Sequence, residues 1–322
     1  MDEPVQDEQP LFRQALAILR GGGASDLRPG IQALESAAQS GEPDALCLLA
    51  AWTADGIGVR HSWSKAFDLL LDAALIGSRS AREQLALLAA AGQAQGPDLA
   101  LDDDDTLRRL RGSIRVEDWI APVQKNVLCA APRVVAIKGF LSPRECAWLT
   151  GRGSGRLQRA LLYGAETAGP QKSEVRTNSA FEINVLDLDM VVLMVKARIA
   201  AAIGVPTGFL EPPQVLHYEV GEQFAPHRDF LDPTVPGQAA DFARRGQRIV
   251  TFLVYLNSDF EGGATDFPVL ALVHKGGAGD ALYFGNVDPS GAPDPRTLHA
   301  GLPPTSGEKW LFSQWIRNRA GA

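Results

Sequence analysis

QVLHYEVGEQFAPHRDF, residues 214–230, is the stretch on which the fold turns. Its opening QVLHYEV is rich in β-branched and aromatic residues and stops at Gly221, which predicts a strand. In the HRD that follows, His227 and Asp229 stand at i and i+2, so an extended chain presents both on one face. Such a triplet arises often by chance and decides little alone. His299 gives it weight: it lies 70 residues beyond Asp229, in RTLHAG, just ahead of another strand. Two imidazoles and one carboxylate make the facial triad of non-haem Fe(II), which leaves coordination positions open. The other histidines, His61, His217 and His274, fall under no spacing rule that would close the site as structural zinc.

Outward from this stretch the text keeps its β character. VVAIKGF from Val134, SAFEI from Ser179, RIVTFLVYL from Arg248, DALYFGN from Asp280 and KWLFSQWIR from Lys309 read as strands of an all-β barrel or double sheet. Two helices are predicted beside them, near Pro143 to Leu149 and near Leu188 to Ile203. The segment Leu231 to Gln247, with two prolines and paired Arg244-Arg245, reads as a loop long enough to cover a site. Lys309 follows His299 by ten residues across a PPTSG turn, so a hairpin returns it towards the metal residues. A buried ammonium needs a carboxylate partner.

With RTN at Arg176, QVLHYEVGEQFAPHRDF, QRIVTFLVYLN, FEGGATDFP, KGGAGDALYFGN and LHAGLPPTSGEKW in this order, the stretch from about Arg133 to Arg319 resembles the prolyl 4-hydroxylase group of Fe(II)/2-oxoglutarate dioxygenases. The resemblance implies a double-stranded β-helix, or jelly roll, with Fe(II), 2-oxoglutarate and dioxygen as cofactors and ascorbate as an accessory reductant. It makes His227, Asp229 and His299 the iron ligands and Lys309 the cation for the distal carboxylate of 2-oxoglutarate. It places Tyr218 and Thr265 as hydrogen-bonding partners of that cosubstrate, and Arg248 and Trp315 beside a peptide substrate. Family members often carry Tyr three residues before the first iron ligand. Here that position is Phe224, which removes a hydroxyl from the substrate side and leaves the iron chemistry intact. An aspartate at position 229 favours hydroxylation over halogenation, which needs a small residue there.

The first third of the chain is built differently. A shift of 36 positions aligns Ile31 with Phe67, Leu34 with Leu70, Ala37-Ala38 with Ala73-Ala74, Gly41 with Gly77, Ala45 with Ala81 and Leu49 with Leu85. Apolar residues recur there at three- and four-residue spacing, and a glycine closes the first helix of each unit, which predicts stacked helical hairpins. AAxxGxxxA followed by ADGIGVRHSWSKAFDLLLDAALIG resembles the Sel1-like branch of the tetratricopeptide family, whose arrays are protein-binding scaffolds. The acidic Ala91 to Asp105 marks the boundary, and its aspartates are placed to cap a helix starting near Thr106. The expected architecture is α+β and multidomain: a helical repeat segment with an acidic linker over 1–105, then a dioxygenase domain over 106–322 with its core at 133–319.

Composition narrows the function. At 322 residues and 45% hydrophobic, the chain is long enough for about two domains with real cores. No apolar run approaches the roughly 20 residues of a bilayer span, and the opening MDEPVQDEQP does not read as a secretory signal. Three cysteines, Cys47, Cys129 and Cys146, with no CxxC suit reduced thiols in a cytoplasmic protein. Net charge is −7, and the acidity is concentrated up to Ile120, with 19 acids against 11 bases. That disfavours nucleic-acid binding by this part, which has no cluster of Lys and Arg, and suits a basic polypeptide partner. A nucleic-acid dealkylase is disfavoured by the missing basic groove and by a lysine at the carboxylate position. Two alternatives to a peptidyl prolyl hydroxylase stay open: a hydroxylase of free amino acids, and a repeat-based interaction module with a silent oxygenase domain.

Overall fold

β-branched and aromatic runs too short to fill a helix pair into sheets, and the structure, a computed structural model, shows two main ones. Residues 9–21, 27–90, 103–160, 162–163, 170–171 and 175–320 are described. The larger sheet has eight antiparallel strands in the order Asn126–Cys129, Val134–Ile137, Ala281–Gly285, Arg248–Tyr255, Lys309–Arg317, Gln214–Tyr218, Ser179–Glu182 and Gln158–Arg159. Every strand expected from the sequence is in it. Arg248–Tyr255 lies near its centre, bonded on one side to Ala281–Gly285 and on the other to Lys309–Arg317. Its run from Thr251 to Tyr255 is buried throughout, as a central strand requires.

The smaller sheet has four short strands, in the order Leu272–His274, Thr265–Phe267, His299–Gly301 and Phe224–His227. Side chains from both sheets share two apolar clusters. One joins Leu216, Tyr218, Tyr255 and Leu311 to Phe224, and the other joins Val134, Leu253, Leu282 and Phe284 to Phe267. This is the two-sheet arrangement that the resemblance implied. Pro143–Gly153 forms the first expected helix, begun by a capping box in which Ser142 and Glu145 bond each other's backbone amides. Met190–Ile203 forms the second.

The segment 231–247 departs from its reading as a loop. Its middle, Pro236–Arg245, is a helix with proline in the first turn and basic residues in the last, and Gly246 at φ +73° ends it. Gln247 clasps the segment at its base, its side chain accepting from the Leu231 amide and donating to the Leu231 carbonyl. The helix is tied down by charge, since Asp241 pairs with Arg245 at 2.7 Å and with Arg317 at 2.5 Å.

The N-terminal helices are Pro10–Gly21, Arg28–Gln39, Pro43–Asp55, Trp63–Leu75, Arg79–Ala90 and Asp104–Ser113, with a short turn Val116–Trp119. All the apolar positions aligned by the 36-residue shift are buried, from Ile31, Leu34 and Ala37 to their counterparts Phe67, Leu70 and Ala73. Gly41 and Gly77, also aligned, take φ +79° and +103°, the left-handed turn that separates the helices of each hairpin. Asp103 caps the next helix by accepting from the Thr106 amide. Residues 91–102, where most of the expected acidic linker falls, lie outside the described residues.

The chain divides into two compact units: Met1–Trp119 with Val185–Val195, and Ile120–Asn184 with Lys196–Ala322. The sequence placed the division at 105, but the helix Asp104–Ser113 sits with the hairpins, Arg111 pairing with Asp68 at 2.8 Å, and Trp119 donates to the Leu88 carbonyl. The inclusion of 185–195 has visible contacts: Trp52 donates to the Val185 carbonyl at 2.8 Å, and the Met190 amide donates to Gln84. Among the described residues no helix is long and apolar enough to cross a membrane.

Candidate active site

Strand pairing assembles the three predicted metal residues. His227 ends Phe224–His227, His299 begins the neighbouring His299–Gly301, and the two histidines face each other in register. With Asp229 two residues on, their ligand atoms lie within 4.8 Å of one another. His227 Nδ1 is 2.9 Å from the Ala225 carbonyl and His299 Nδ1 is 3.0 Å from the Thr297 carbonyl. A carbonyl only accepts, so Nδ1 of each ring donates to it and Nε2 is the atom turned inwards. Those Nε2 atoms stand 3.5 Å from Asp229 Oδ1 and Oδ2 respectively.

Electrostatics sharpen the picture. Burial, with repulsion from His227, lowers the His299 pKa to about 4, so the ring is neutral near pH 7. Burial opposes the Asp229 charge, yet the His299 and His227 rings and the Thr251 hydroxyl outweigh it and hold the carboxyl well below the usual range. The two Nε2 atoms and the buried Asp229 carboxylate thus converge on one place. That donor set fits a divalent cation.

Lys309 lies across the same cavity. It starts its strand in register with Tyr218, is fully buried, and its ammonium has no hydrogen-bond partner among the described residues. Nζ sits 4.7 Å from the Tyr218 ring and 5.9 Å from the Tyr255 ring. Burial, with repulsion from Lys275, pushes its pKa down to about 7. A buried, unsatisfied cation fits an incoming carboxylate. Gly263 makes room beside it: a Cβ there would come within 3.2 Å of Lys309 Cδ and 2.7 Å of Phe260, at a φ of +65°.

The cavity is lined by His227, Asp229 and His299 with Lys309, Tyr218, Thr265, Trp315, Phe224 and Arg176, among others. Alternation builds this wall, since Lys309, Leu311, Ser313 and Trp315 all face it from one strand. Phe224 stacks on His227, with ring centroids 3.4 Å apart at 10°, and the Arg176 guanidinium covers the Phe224 ring at 4.8 Å. Arg248 is the expected site residue that does not line the cavity. Its guanidinium makes two hydrogen bonds to Glu211, at 2.7 and 3.0 Å, and lies 3.6 Å from the Trp315 ring, so it supports the wall from behind.

Sequence reading overlooked Thr251 and Tyr255. The Thr251 hydroxyl donates to Asp229 at 2.6 Å, and the Tyr255 hydroxyl is 3.0 Å from that of Thr265. The signal was available in RIVTFLVYL, where Thr251, Leu253 and Tyr255 share one face of the strand and two of the three carry hydroxyls.

Residues 213–317 match the model of the 2OG-Fe(II) oxygenase superfamily. Prolyl 4-hydroxylase 1 of Arabidopsis thaliana is 33% identical over 215 residues, which are 62% of this chain and 74% of that protein. The chain belongs to the prolyl 4-hydroxylase-like 2OG-Fe(II) oxygenases. Probable prolyl 4-hydroxylase 6 of the same plant is 32% identical over 220 residues, 62% of this chain and 74% of its own length. The crystal structure of a viral collagen prolyl hydroxylase from Paramecium Bursaria Chlorella virus-1, in its 2OG complex, is similar at 28% identity and a TM-score of 0.44, over 57% of this chain and 95% of that one. As a member of this family the oxygenase is a 2-oxoglutarate-dependent dioxygenase that uses Fe(II), 2-oxoglutarate and dioxygen.

Proposed function

We propose that this oxygenase hydroxylates a prolyl residue within a polypeptide, with His227, Asp229 and His299 holding Fe(II) and Lys309 receiving the distal carboxylate of 2-oxoglutarate. The observation that carries the reading is the buried, unpartnered Lys309 ammonium in the same cavity as the His-Asp-His cluster. When bound, the metal would supply the chemistry by which dioxygen oxidises both partners, one oxygen atom converting a C–H bond to C–OH and the other entering succinate as 2-oxoglutarate loses CO2. The protein's own residues set where that power is spent. Tyr218 and Thr265 hydrogen-bond the cosubstrate beside Lys309. Phe224 and Trp315 wall the side where a target C–H bond approaches, and Arg248 holds the indole in place. Together these rings exclude water.

The relatives are named for prolyl hydroxylation, and the substrate is proposed here on that footing. Phe224 has no hydroxyl to offer a peptide, so recognition falls to Arg176, Trp315 and the surfaces around them. We assign the N-terminal hairpins to the Sel1-like repeats, serving as a protein-binding platform in a cytoplasmic protein whose thiols are unpaired. The acid excess of the first 120 residues lies mostly at residues 1–8, 22–26 and 91–102, which hold seven acids and no base, so attraction of a basic partner belongs to those stretches. The test is mass spectrometry of candidate proteins and peptides incubated with the enzyme, Fe(II), 2-oxoglutarate and labelled dioxygen. Label on a prolyl residue, with matching succinate, is the expected result. Efficient hydroxylation of free proline, with none on polypeptides, would overturn the substrate assignment.

A further inference from the structure

Behind the metal cluster a buried polar chain runs from Asp229 into the larger sheet. The Thr251 hydroxyl is 2.6 Å from Asp229 Oδ2, and Asn286 Nδ2 is 2.9 Å from the Thr251 oxygen. All three side chains are buried, Asn286 completely. The direction of each bond is forced. An ionised carboxylate only accepts, and the amide nitrogen of Asn286 only donates. The single hydroxyl proton of Thr251 therefore goes to Asp229, and its lone pair takes the proton from Asn286.

The backbone makes the chain rigid. Thr251 sits in the central strand, facing Phe284 on one side and Trp315 on the other, and β-branching restricts its χ1. Asn286 is pinned at both main-chain groups: its amide donates to the Ile249 carbonyl and its carbonyl accepts from the Asp294 amide. Asp229 lies just past the end of its strand. Packing alone would be met by valine at position 251, which has the same shape and no polar atom to satisfy.

We propose that Thr251, oriented by Asn286, is a positioning residue that fixes the Asp229 carboxylate for the divalent metal. Residues 229, 251 and 286 come from three separate segments, so the hydrogen bonds couple the carboxylate to a central strand paired on both sides. One oxygen of Asp229 is committed to Thr251 and the carboxylate cannot turn freely. The metal then meets a preset donor and does not have to order it on binding.

The inference rests on the ligand assignment above, and its test separates the two. Metal-free protein is titrated with Co(II), followed by visible absorbance, with thermal unfolding of the same samples as the check on folding. Thr251→Val is expected to weaken Co(II) binding about tenfold or more, the range for loss of a hydrogen bond to a metal ligand. Thr251→Ser restores most of the affinity, because the hydroxyl is what matters. Asn286→Ala shifts affinity the same way by less. Should Thr251→Val not fold, the serine and Asn286→Ala proteins decide. Wild-type affinity in Thr251→Val or in Asn286→Ala, or a loss in Thr251→Ser as large as in the valine protein, overturns the relay while the ligand assignment stands. If the wild-type protein takes up no Co(II), the ligand assignment falls and the relay with it.

Discussion

Buried polar side chains do different jobs in the two units of this molecule. In the helical unit Glu42 accepts from the amides of Leu11 and Phe12, Thr53 donates to the Leu49 carbonyl, Ser78 accepts from the Ala81 amide and Gln84 from the Met190 amide. Glu42, Ser78 and Gln84 each satisfy an amide left over at a helix start, and Thr53 adds a second bond to a carbonyl within its own helix. In the oxygenase unit the inward atoms of the cavity have no backbone partner to complete: two imidazole Nε2 atoms face a carboxylate, and the Lys309 ammonium is unsatisfied among the described residues. A buried polar group that completes the backbone marks architecture. One that stays costly marks a place where something else binds.

The largest effect expected from this contrast is at Lys309. Lys309→Ala should weaken 2-oxoglutarate binding by at least about 30-fold, the low end for truncating one partner of a buried charge pair, while Co(II) affinity stays at the wild-type value. Calorimetric titration with each ligand separates the two. Equal losses in both would make Lys309 part of the architecture.

Next is a pH dependence whose sign follows from the depressed Lys309 pKa of about 7. In the free protein the amine is protonated below that value and neutral above it. A bound carboxylate raises the pKa, so above pH 7 binding must take up a proton, and affinity should fall by up to about tenfold per pH unit. Below pH 7 it should level off. Calorimetry at pH 8 in buffers of different ionisation enthalpy counts the proton, and a value of zero removes this account of Lys309.

A smaller effect probes the architectural side. Gln84 occupies the repeat position that Leu48 holds one unit earlier. Gln84→Leu restores the apolar pattern and strips the Met190 amide of its acceptor, at a cost of about 1–3 kcal/mol in thermal unfolding. Uncoupled succinate release per folded molecule should not change. A gain in stability would show that the apolar repeat pattern outweighs the cap.

The smallest is a matched pair. Gly41 and Gly77 have open space where a Cβ would go, so alanine at either meets only the backbone penalty of positive φ, about 1 kcal/mol. The two substitutions should cost the same if the hairpins are equivalent, and denaturant unfolding of both variants checks it.

The long strands of the larger sheet were legible because RIVTFLVYL and KWLFSQWIR have the length for composition and alternation to show. Thr265–Phe267, Leu272–His274 and His299–Gly301 are three residues each, too short to carry a pattern, so the smaller sheet was visible only through its histidines. The helix Pro236–Arg245 was hidden by the prolines and glycines that bound it, which are also loop signals. His227, Asp229, His299 and Lys309 could be found by motif, whereas Thr251 and Asn286 are tied to that cluster by hydrogen bonds that no motif records. A single polar residue in an apolar strand looks the same whether it supports a metal ligand or merely satisfies itself.

The placement of residues 185–195 in the helical unit sets an order of assembly. Translation delivers Trp52 and Gln84 early, yet the Val185 carbonyl and the Met190 amide that they bond emerge more than a hundred residues later, after the first strands of the oxygenase. The helical unit is thus finished from within the domain that follows it. No single cut of the chain yields both units whole: a break after Trp119 parts the hairpins from Val185–Val195, the last segment of their unit.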